Sequence, residues 1–399
     1  MVTSEGNAYE KCLMNNIVSS PNQIPATLPD HLIVEEILQR LPVKTLVRFK
    51  SVSKFWFCII SSPEFAKKHL NRTSDNNEFI LLNSLYYSRS YKFLSLPYDE
   101  SSNLKSPIEM NFTLDIPSRQ QLQTEKGRVV DLVGSCNGLV CLSCLSYPTI
   151  ILCYQFLVIC NPATHQYHEI NNPSSTIFYY WFGYIPSIDD YKIFAASTTS
   201  LEFYVYSLST GEWNVLSHTD TVFRYFKPEL VPLQTAVDDI LYWSIVVSHR
   251  KIRHIIGVDI VNLNFKEFPW MDWLDRYSRA SFFEMNGCLS LLCYSLSRQP
   301  QADVWTLKQG NEWSSWEKMF SFDIGHKYLL HITSNGKFLA QNYLKPHISQ
   351  ITLIDPSRDT LQQSSLDIYL NMVAARGYVE SLVSPFGAIK STKEEDHEV

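Results

Sequence analysis

The sequence predicts an α+β multidomain chain, in which a small N-terminal three-helix module precedes a mostly-β, propeller-like domain of about six blades. Helical periodicity is confined to one stretch, residues 28–70. Beyond residue 78, short β-rich segments alternate with Asn, Asp, Gly and Pro turns, and a turn-plus-strand unit recurs every 48–52 residues. The predicted domains are a disordered tail at 1–27, the helical module at 28–72, the β domain at 78–385 and a disordered acidic tail at 386–399.

Composition limits the classes of protein to which the chain can belong. A hydrophobic content of 45% in 399 residues suffices for folded cores, and a formal net charge of −6 disfavours nucleic-acid binding. The sequence shows no basic and apolar leader and no apolar run of about 18 residues, so we expect neither secretion nor a membrane span. We therefore expect a cytoplasmic and/or nuclear protein in which the nine cysteines are reduced.

The first helix of the module is predicted to run from Pro29 to Leu41. Pro29 suits a first-turn position, and Pro42 ends the helix because it disfavours helical backbone at the residue before it. At 100° per residue, Leu32 falls among the charged side chains, opposite the apolar stripe. The stripe expected to face the core consists of Ile33, Val34, Ile37, Leu38 and Leu41.

The rest of the module carries more apolar surface than it is expected to bury alone. A second helix is predicted over Val43–Ser53 and a third from Lys54. About half of the residues from Leu28 to Leu70 are apolar, so either the rest of the chain or a partner should cover some of them. Seven basic residues against four acidic ones give the stretch a positive charge, which fits an acidic partner or a solvated helix face equally well.

Together these residues resemble the plant form of the F-box. The residues that carry the resemblance are Leu28-Pro29, Ile37-Leu38, Leu41-Pro42, Leu46, Val52 to Trp56 and Ile59 to Phe65. In that family the helices dock on the Skp adaptor of a Skp–cullin–F-box ubiquitin ligase, so the resemblance implies a Skp-type adaptor and, through it, a cullin as partners. The predicted adaptor contacts are Leu28, Pro29, Leu32, Ile37, Leu38, Leu41, Pro42, Leu46, Val52 and Trp56.

The β domain contains an internal repeat. Its turn-plus-strand units start at Asn137, Asp189, Asp238, Asn286 and Asn335, and an apolar hairpin follows each start. A period near 50 residues with three or four short strands is typical of a kelch-type propeller blade. Glu78–Tyr98 is predicted to add a sixth blade, and Gly377–Ser384 a late strand that closes the ring; an open ring or seven blades are the alternatives.

This region resembles the F-box-associated domain of plant F-box proteins. The residues that carry the resemblance are Gly134–Leu139, Asn161–Thr164, Phe182–Tyr184, Asp189–Lys192, Val205–Leu208, Leu241–Trp243 and Val258–Ile260. The resemblance implies a domain that binds a target protein.

Residues with possible chemistry have structural explanations. Cys141 and Cys144 lie three apart on one predicted strand, which places their side chains on opposite faces, and no second Cys-x-x-Cys pair exists. We therefore predict no metal and no cofactor. The sequence has no His-Glu-x-x-His and no Gly-x-Ser-x-Gly motif, so we predict no catalytic residue and no enzymatic activity.

Aromatic residues in predicted loops are candidates for contact with a target protein, because exposed apolar side chains mark recognition surfaces. These candidates are Tyr180, Trp181, Tyr225, Phe226, Trp270 and Trp273. The tryptophans that recur with the repeat are expected to pack between blades instead: Trp213, Trp243, Trp305, Trp313 and Trp316.

These observations predict a substrate-recognition subunit of a Skp–cullin–F-box ubiquitin ligase, which binds a target protein through its β domain and forms no covalent bond itself. One alternative is an interaction protein that sequesters its target without degradation. A propeller enzyme is the other, and it would need convergent polar groups at the centre of the ring. The sequence does not indicate the target.

Overall fold

The structure is a computed structural model, and it describes about two thirds of the chain. The described residues are 30–73, 78–84, 93–99, 103–110, 128–146, 154–174, 178–197, 202–216, 236–247, 252–294, 301–308, 312–325, 327–345, 348–356, 362–368 and 373–386. The predicted tail 1–27 lies outside them, as do Leu28, Pro29, Tyr225, Phe226 and all of the predicted tail 386–399 except Phe386.

The helical module consists of four short helical segments. Helix α1 is a succession of three different turns, an α-helical turn at Asp30–Leu32, a π-helical turn at Ile33–Ile37 and a 3-10 turn at Leu38–Arg40. It is followed by α2 (Val43–Phe49), α3 (Lys54–Ser61) and α4 (Pro63–Thr73). Side chains define the helix starts, since Ser53 Oγ accepts from Trp56 N at 3.1 Å and Ser62 Oγ accepts from Phe65 N at 3.2 Å.

The π-helical turn corrects one prediction about α1. The N–H of Leu38 bonds the carbonyl groups of both Ile33 and Val34, so this turn is wider than an α-helical turn. Residues after it no longer follow 100° steps. Val34 and Leu38 are buried as predicted, but Ile37 leaves the stripe and is exposed. The prediction that Ile37 faces the core is therefore wrong.

Within the described residues the strands form six antiparallel sheets, which are the blades of a propeller. Blade 1 contains β1 (Phe79–Ser84), β2 (Phe93–Leu96), β3 (Ile108–Glu109) and the last strand, β23 (Val373–Tyr378). Blade 2 contains β4 (Arg128–Cys136), β5 (Leu139–Ser146), β6 (Tyr154–Asn161) and β7 (Gln166–Asn171). Blade 3 contains β8 (Phe178–Ile185), β9 (Asp190–Ser197), β10 (Phe203–Ser207) and β11 (Glu212–Val215).

The remaining three blades follow in chain order. Blade 4 contains β12 (Ile240–Val247), β13 (Ile252–Asp259) and β14 (Asn264–Phe268). Blade 5 contains β15 (Arg279–Met285), β16 (Cys288–Tyr294), β17 (Gln301–Leu307) and β18 (Trp316–Asp323). Blade 6 contains β19 (Tyr328–Ile332), β20 (Phe338–Lys345), β21 (Ile348–Asp355) and β22 (Gln362–Ile368).

The ring closes by pairing the two ends of the β domain. Strand β23 is antiparallel to β1, with Phe79 opposite Tyr378 and Ser84 opposite Val373. The predicted closing strand, Gly377–Ser384, is therefore correct in kind but placed too late, because the sheet ends at Tyr378. Residues 379–386 leave the sheet and run over its neighbour.

Tight turns set the register of the repeat. Asn137 and Gly138 have φ of 52° and 80°, and Asn286 and Gly287 have φ of 53° and 75°, the positive values that a two-residue hairpin turn requires. Asp238 and Asp239 also have positive φ, and they precede β12 as Asn137 and Gly138 precede β5. Strand β12 of blade 4 therefore corresponds to β5, the second strand of blade 2.

The apolar core is divided among the contacts between blades. Among the described residues, each of the six pairs of neighbouring blades shares one cluster of buried side chains. Tryptophans contribute as predicted at the contact of blades 4 and 5, where Trp316 is buried and Trp305 and Trp313 pack against it. Trp213 packs between blades 2 and 3. In the part of the chain that the structure describes, no helix is long and apolar enough to cross a membrane.

Candidate partner-binding surfaces

The helical module has a small core of its own. Leu38, Leu46, Ile59 and Ile60 are fully buried and pack around Phe65. Leu41 and Trp56 are half-buried at the edge of this core, where the Trp56 ring lies 5.2 Å from that of Phe49. The core explains why so short a module folds with so much apolar sequence.

Four apolar side chains of the module are exposed in the part of the chain that the structure describes. Leu32 is 39% exposed, Ile37 44%, Phe57 57% and Val52 60%. Leu32 thus lies on the exposed side, as its place among charged residues predicted. We call these four residues the apolar face of the module. Large apolar side chains that stay exposed are candidates for contact with a partner.

The predicted adaptor contacts therefore divide into two groups. Leu32, Ile37, Pro42 and Val52 are exposed, whereas Leu38 and Leu46 are fully buried. Leu38 and Leu46 belong to the module's own core, so they support the apolar face and do not form part of it.

Phe57 belongs to the apolar face but is absent from the adaptor contacts predicted from the sequence. Helix α3 buries Ile59 and Ile60, whereas the side chain of Phe57 is exposed. Helical periodicity gave no clear signal for this exposure, because at 100° per residue Phe57 falls about 160° from Ile59 but about 60° from Ile60.

The module packs on one face of the propeller. Lys67 Nζ of α4 lies 2.7 Å from Asp189 Oδ2, in the turn between β8 and β9, and the hydroxyl of Tyr184 also donates to the Asp189 carboxylate. The hydrogen bond from Lys67 lowers the pKa of the Asp189 carboxyl. Ala163, in the turn between β6 and β7, packs against the module's core. In antiparallel blades these turns share one face, so the opposite face is left free of the module.

The C-terminal residues form the second contact between module and propeller. Leu382 is buried in the module's core. Its neighbour Ser381 is fully buried against blade 2, where Asn161 Nδ2 donates to the carbonyl oxygens of Ser381 at 3.0 Å and Val383 at 2.8 Å. Lys44 Nζ lies 3.2 Å from Glu380 Oε1.

The aromatic candidates for target contact are less accessible than their prediction assumed. Tyr180 and Trp181 lie within strand β8 and not in a loop, because the run from Phe178 to Ile185 pairs along its whole length with β9. Trp181 is buried between blades 3 and 4. The Tyr180 hydroxyl donates to Asn172 Oδ1 at 2.5 Å.

The other two aromatic candidates pack between blades 4 and 5. Trp270 and Trp273 are half-buried beside the cluster that contains Trp316. The Trp273 ring stacks on that of Trp305 at 4.1 Å, and Trp270 Nε1 donates to Asp275 Oδ1 at 3.0 Å. Target contact by these residues stays a prediction, and Tyr225 and Phe226 lie outside the described residues.

Charged residues gather where the ring closes, which the sequence did not indicate. Glu78 Oε2 accepts from Tyr98 Oη at 3.0 Å and from Ser334 Oγ at 2.6 Å, and His331 Nε2 lies 3.9 Å from Glu78 Oε1. Burial opposes ionisation of Glu78, but its neighbours His331 and Ser334 outweigh burial and lower the pKa of the carboxyl to about 2. Tyr98 and Ser334 satisfy the Glu78 carboxylate within the propeller, which favours a structural role.

The cysteines of blade 2 are core residues. Cys141 and Cys144 lie on β5, and both are buried with Cys160 of β6. Burial raises the pKa of the Cys136 thiol to about 11, so that thiol is a poor nucleophile and metal ligand at neutral pH. Across the described residues, no group of three or more His, Cys, Asp or Glu side chains is arranged to hold a metal ion.

The fold and its surfaces define a class of protein: a six-bladed propeller that carries, on one face, a helical module with exposed apolar side chains. Comparison with sequence families gives the identity of both parts. Residues 77–383 match the family described as F-box associated beta propeller domain, and residues 27–68 match the F-box domain. The chain belongs to the F-box proteins with an F-box-associated β-propeller domain.

Relatives in Arabidopsis thaliana share this organisation. An F-box/kelch-repeat protein is 28% identical over 76% of this chain and 80% of its own length. An F-box protein is 23% identical over 90% of this chain and 87% of its own length. The F-box protein CPR1 is 26% identical over 74% of this chain and 73% of its own length.

Proposed function

We propose that this chain is the substrate-recognition subunit of a Skp–cullin–F-box ubiquitin ligase, localised in the cytoplasm and/or the nucleus. The observation that carries the proposal is the apolar face of the F-box, Leu32, Ile37, Val52 and Phe57, which the propeller does not cover. A Skp-type adaptor is the partner that an F-box implies. Burying these side chains against it would remove their apolar area from water.

The propeller is the target-binding part in this proposal. The F-box occupies the face that contains the turns at Ala163 and Asp189, so a target protein binds the opposite face or the rim. The chain itself forms no bond with ubiquitin. It increases the rate of transfer by holding target lysines near the charged conjugating enzyme, which is a proximity effect.

Co-purification with a Skp-type adaptor tests the first half of the proposal. We expect Phe57→Asp and Val52→Asp each to abolish it, because an apolar interface that loses a central anchor and buries a charge commonly loses ~2 kcal/mol or more. Val215→Asp is the matched control, since Val215 is 64% exposed on the propeller. Equal recovery of the adaptor with all three variants would refute the docking assignment.

Target turnover tests the second half. After proximity labelling has identified a bound protein, its half-life is measured in cells that contain the wild-type chain or the Phe57→Asp variant. A longer half-life with the variant supports a ligase receptor. An unchanged half-life with the target still bound supports the sequestering alternative.

A further inference from the structure

The C-terminal segment that follows the last strand lies between the two domains. Residues 379–386, which we call the C-terminal strap, leave blade 1 and run across the turns of blade 2 towards the F-box. In extended chain, side chains alternate between two sides. Ser381 and Val383 face the propeller, and Leu382 between them enters the F-box core.

Blade 2 is built to hold the strap. Ser381 Oγ donates to the carbonyl oxygen of Asn137 at 2.7 Å and accepts from the N–H of Val383 at 3.1 Å. Beside it, Gly138 has no side chain, and a Cβ there would lie 2.1 Å from Ser381 Oγ. The turn of blade 2 and the strap therefore fit each other closely.

Asn161 needs a side-chain amide, because it both accepts and donates hydrogen bonds at this contact. Its Oδ1 accepts from the N–H of Ala163 at 2.9 Å, which stabilises the turn after β6, while its Nδ2 donates to Ser381 and Val383. The last residues of the equivalent strands in blades 4 and 6 are Asp259 and Asp355. Asp259 also accepts from its turn, at the N–H of Asn262, but a carboxylate has no donor for strap carbonyls.

We propose that the C-terminal strap fixes the orientation of the F-box on the propeller, with Asn161 and Leu382 as its positioning residues. Domains joined only by a linker and a few exposed ion pairs move relative to each other by default. Apart from the strap, the contacts described above are the exposed ion pair of Lys67 with Asp189 and the packing of Ala163 against the F-box core. The strap adds the buried side chain of Leu382 and, on either side of it, the hydrogen bonds from Asn161 to the carbonyl groups of Ser381 and Val383.

The consequence for activity rests on the proposed function. Ubiquitin transfer depends on the distance and direction between the bound target and the adaptor, and the strap sets both. Loss of the strap should therefore lower target ubiquitylation while adaptor binding continues, because the strap touches the F-box core and leaves its apolar face uncovered.

Distance measurement by electron paramagnetic resonance tests the proposal on the full chain, without adaptor or target. Spin labels are attached through non-natural amino acids at Ser61 of α3 and Asn214 of β11, both exposed. We expect one narrow distance in the wild-type chain. We expect its loss, with a broad distribution in its place, in Asn161→Asp, which keeps the acceptor for the turn but replaces the Nδ2 donor by an oxygen that faces the two strap carbonyl groups. Leu382→Ser should give the same result.

The matched control is Asp259→Asn, the reverse exchange at the same position of blade 4, which should keep the narrow distance. A broad distribution in the wild-type chain would overturn the proposal without any variant. So would a narrow one in folded Asn161→Asp, or equal broadening in the control. If Leu382→Ser does not fold, Leu382→Val replaces it and must still broaden the distribution. Failure of adaptor binding would refute the proposed function and leave this measurement unaffected.

Discussion

The guanidinium of Arg376 donates two hydrogen bonds, from Nε at 3.1 Å and from Nη2 at 2.9 Å, to the carbonyl oxygen of Val133. Arg376 belongs to β23, the last strand of the ring, and Val133 belongs to β4, the first strand of blade 2. The bonds thus join two innermost strands of neighbouring blades, next to the pairing of β23 with β1. Arg376 therefore ties β23 to the neighbouring blade 2, whereas backbone pairing ties β23 only to β1 of its own blade.

Replacing Arg376 by Lys should destabilise the propeller. A lysine keeps the charge but cannot donate two hydrogen bonds to one carbonyl in the geometry of a guanidinium. Because Val133 and Arg376 are partly buried, we expect a loss of about 1–3 kcal/mol in the free energy of unfolding, measured in urea. Arg48→Lys on the exposed side of α2 is the control, and it should change this free energy little. Equal stability of the two variants would show that the bonds do not hold the ring.

Glu78 should make the protein sensitive to acid. Its folded-state pKa is about 2, whereas a glutamate in an unfolded chain titrates near 4.3, so the ionised form stabilises the fold. The contribution is complete above the unfolded value and is lost as the pH falls from about 4.3 to about 2. The difference of roughly two units corresponds to about 3 kcal/mol. Burial lowers the pKa of His331, so protonation of that ring on acidification acts in the same direction.

The measurement is the free energy of unfolding of the wild-type protein and of Glu78→Gln at several pH values. We expect Glu78→Gln to be less stable at pH 7, and the gap to narrow as the pH falls towards 2. Glu212→Gln, at an exposed position of β11, serves as the control with no such gap. A gap that stays constant with pH would contradict the assigned role of the Glu78 charge.

Local signals in the sequence explain the parts of the fold that were predicted correctly. Asn137-Gly138 and its counterparts mark hairpin turns because positive φ is accessible to few residue types, and their spacing gave the six blades. The prediction that Ile37 faces the core was wrong because the spacing of apolar residues does not reveal a π-helical turn such as Ile33–Ile37. The prediction of a loop at Trp181 was wrong because the aromatic run around it forms strand β8, which pairs with β9.

The strap could not be predicted from the sequence. Asn161 and Ser381 are 220 residues apart, and each looks ordinary in its own segment. Asn161 suits a turn, and Ser381 suits a polar terminus. The pairing exists only because ring closure brings the C-terminal end beside blade 2, so local patterns contain no information about it.

The F-box offers a test that separates support from contact. Leu46 is fully buried and Phe57 is 57% exposed, although both are large apolar residues of one module. We expect Leu46→Ala to destabilise the F-box by about 2–5 kcal/mol, because it leaves a cavity. We expect Phe57→Ala to leave its stability nearly unchanged and to weaken adaptor binding. Thermal unfolding and adaptor affinity are measured for both, and loss of stability in Phe57→Ala would contradict the division.

Gly138 and Gly287 allow the cost of displacing the strap to be isolated. Both glycines end two-residue turns with positive φ, 80° and 75°. A Cβ at Gly287 would meet nothing within 4 Å, whereas a Cβ at Gly138 would lie 2.1 Å from Ser381 Oγ and 2.9 Å from the backbone N of Ser381. Alanine at Gly287 should therefore cost only the strain of the left-handed backbone, about 1 kcal/mol. Alanine at Gly138 carries the same strain and must also displace the strap, since a contact with backbone cannot be relieved by a change of rotamer.

We expect Gly138→Ala to be the less stable variant in urea unfolding, and to increase amide hydrogen exchange in the strap and in the F-box core around Leu382. Equal stability and equal exchange in the two variants would mean that the strap yields at no cost, and that blade 2 does not hold it.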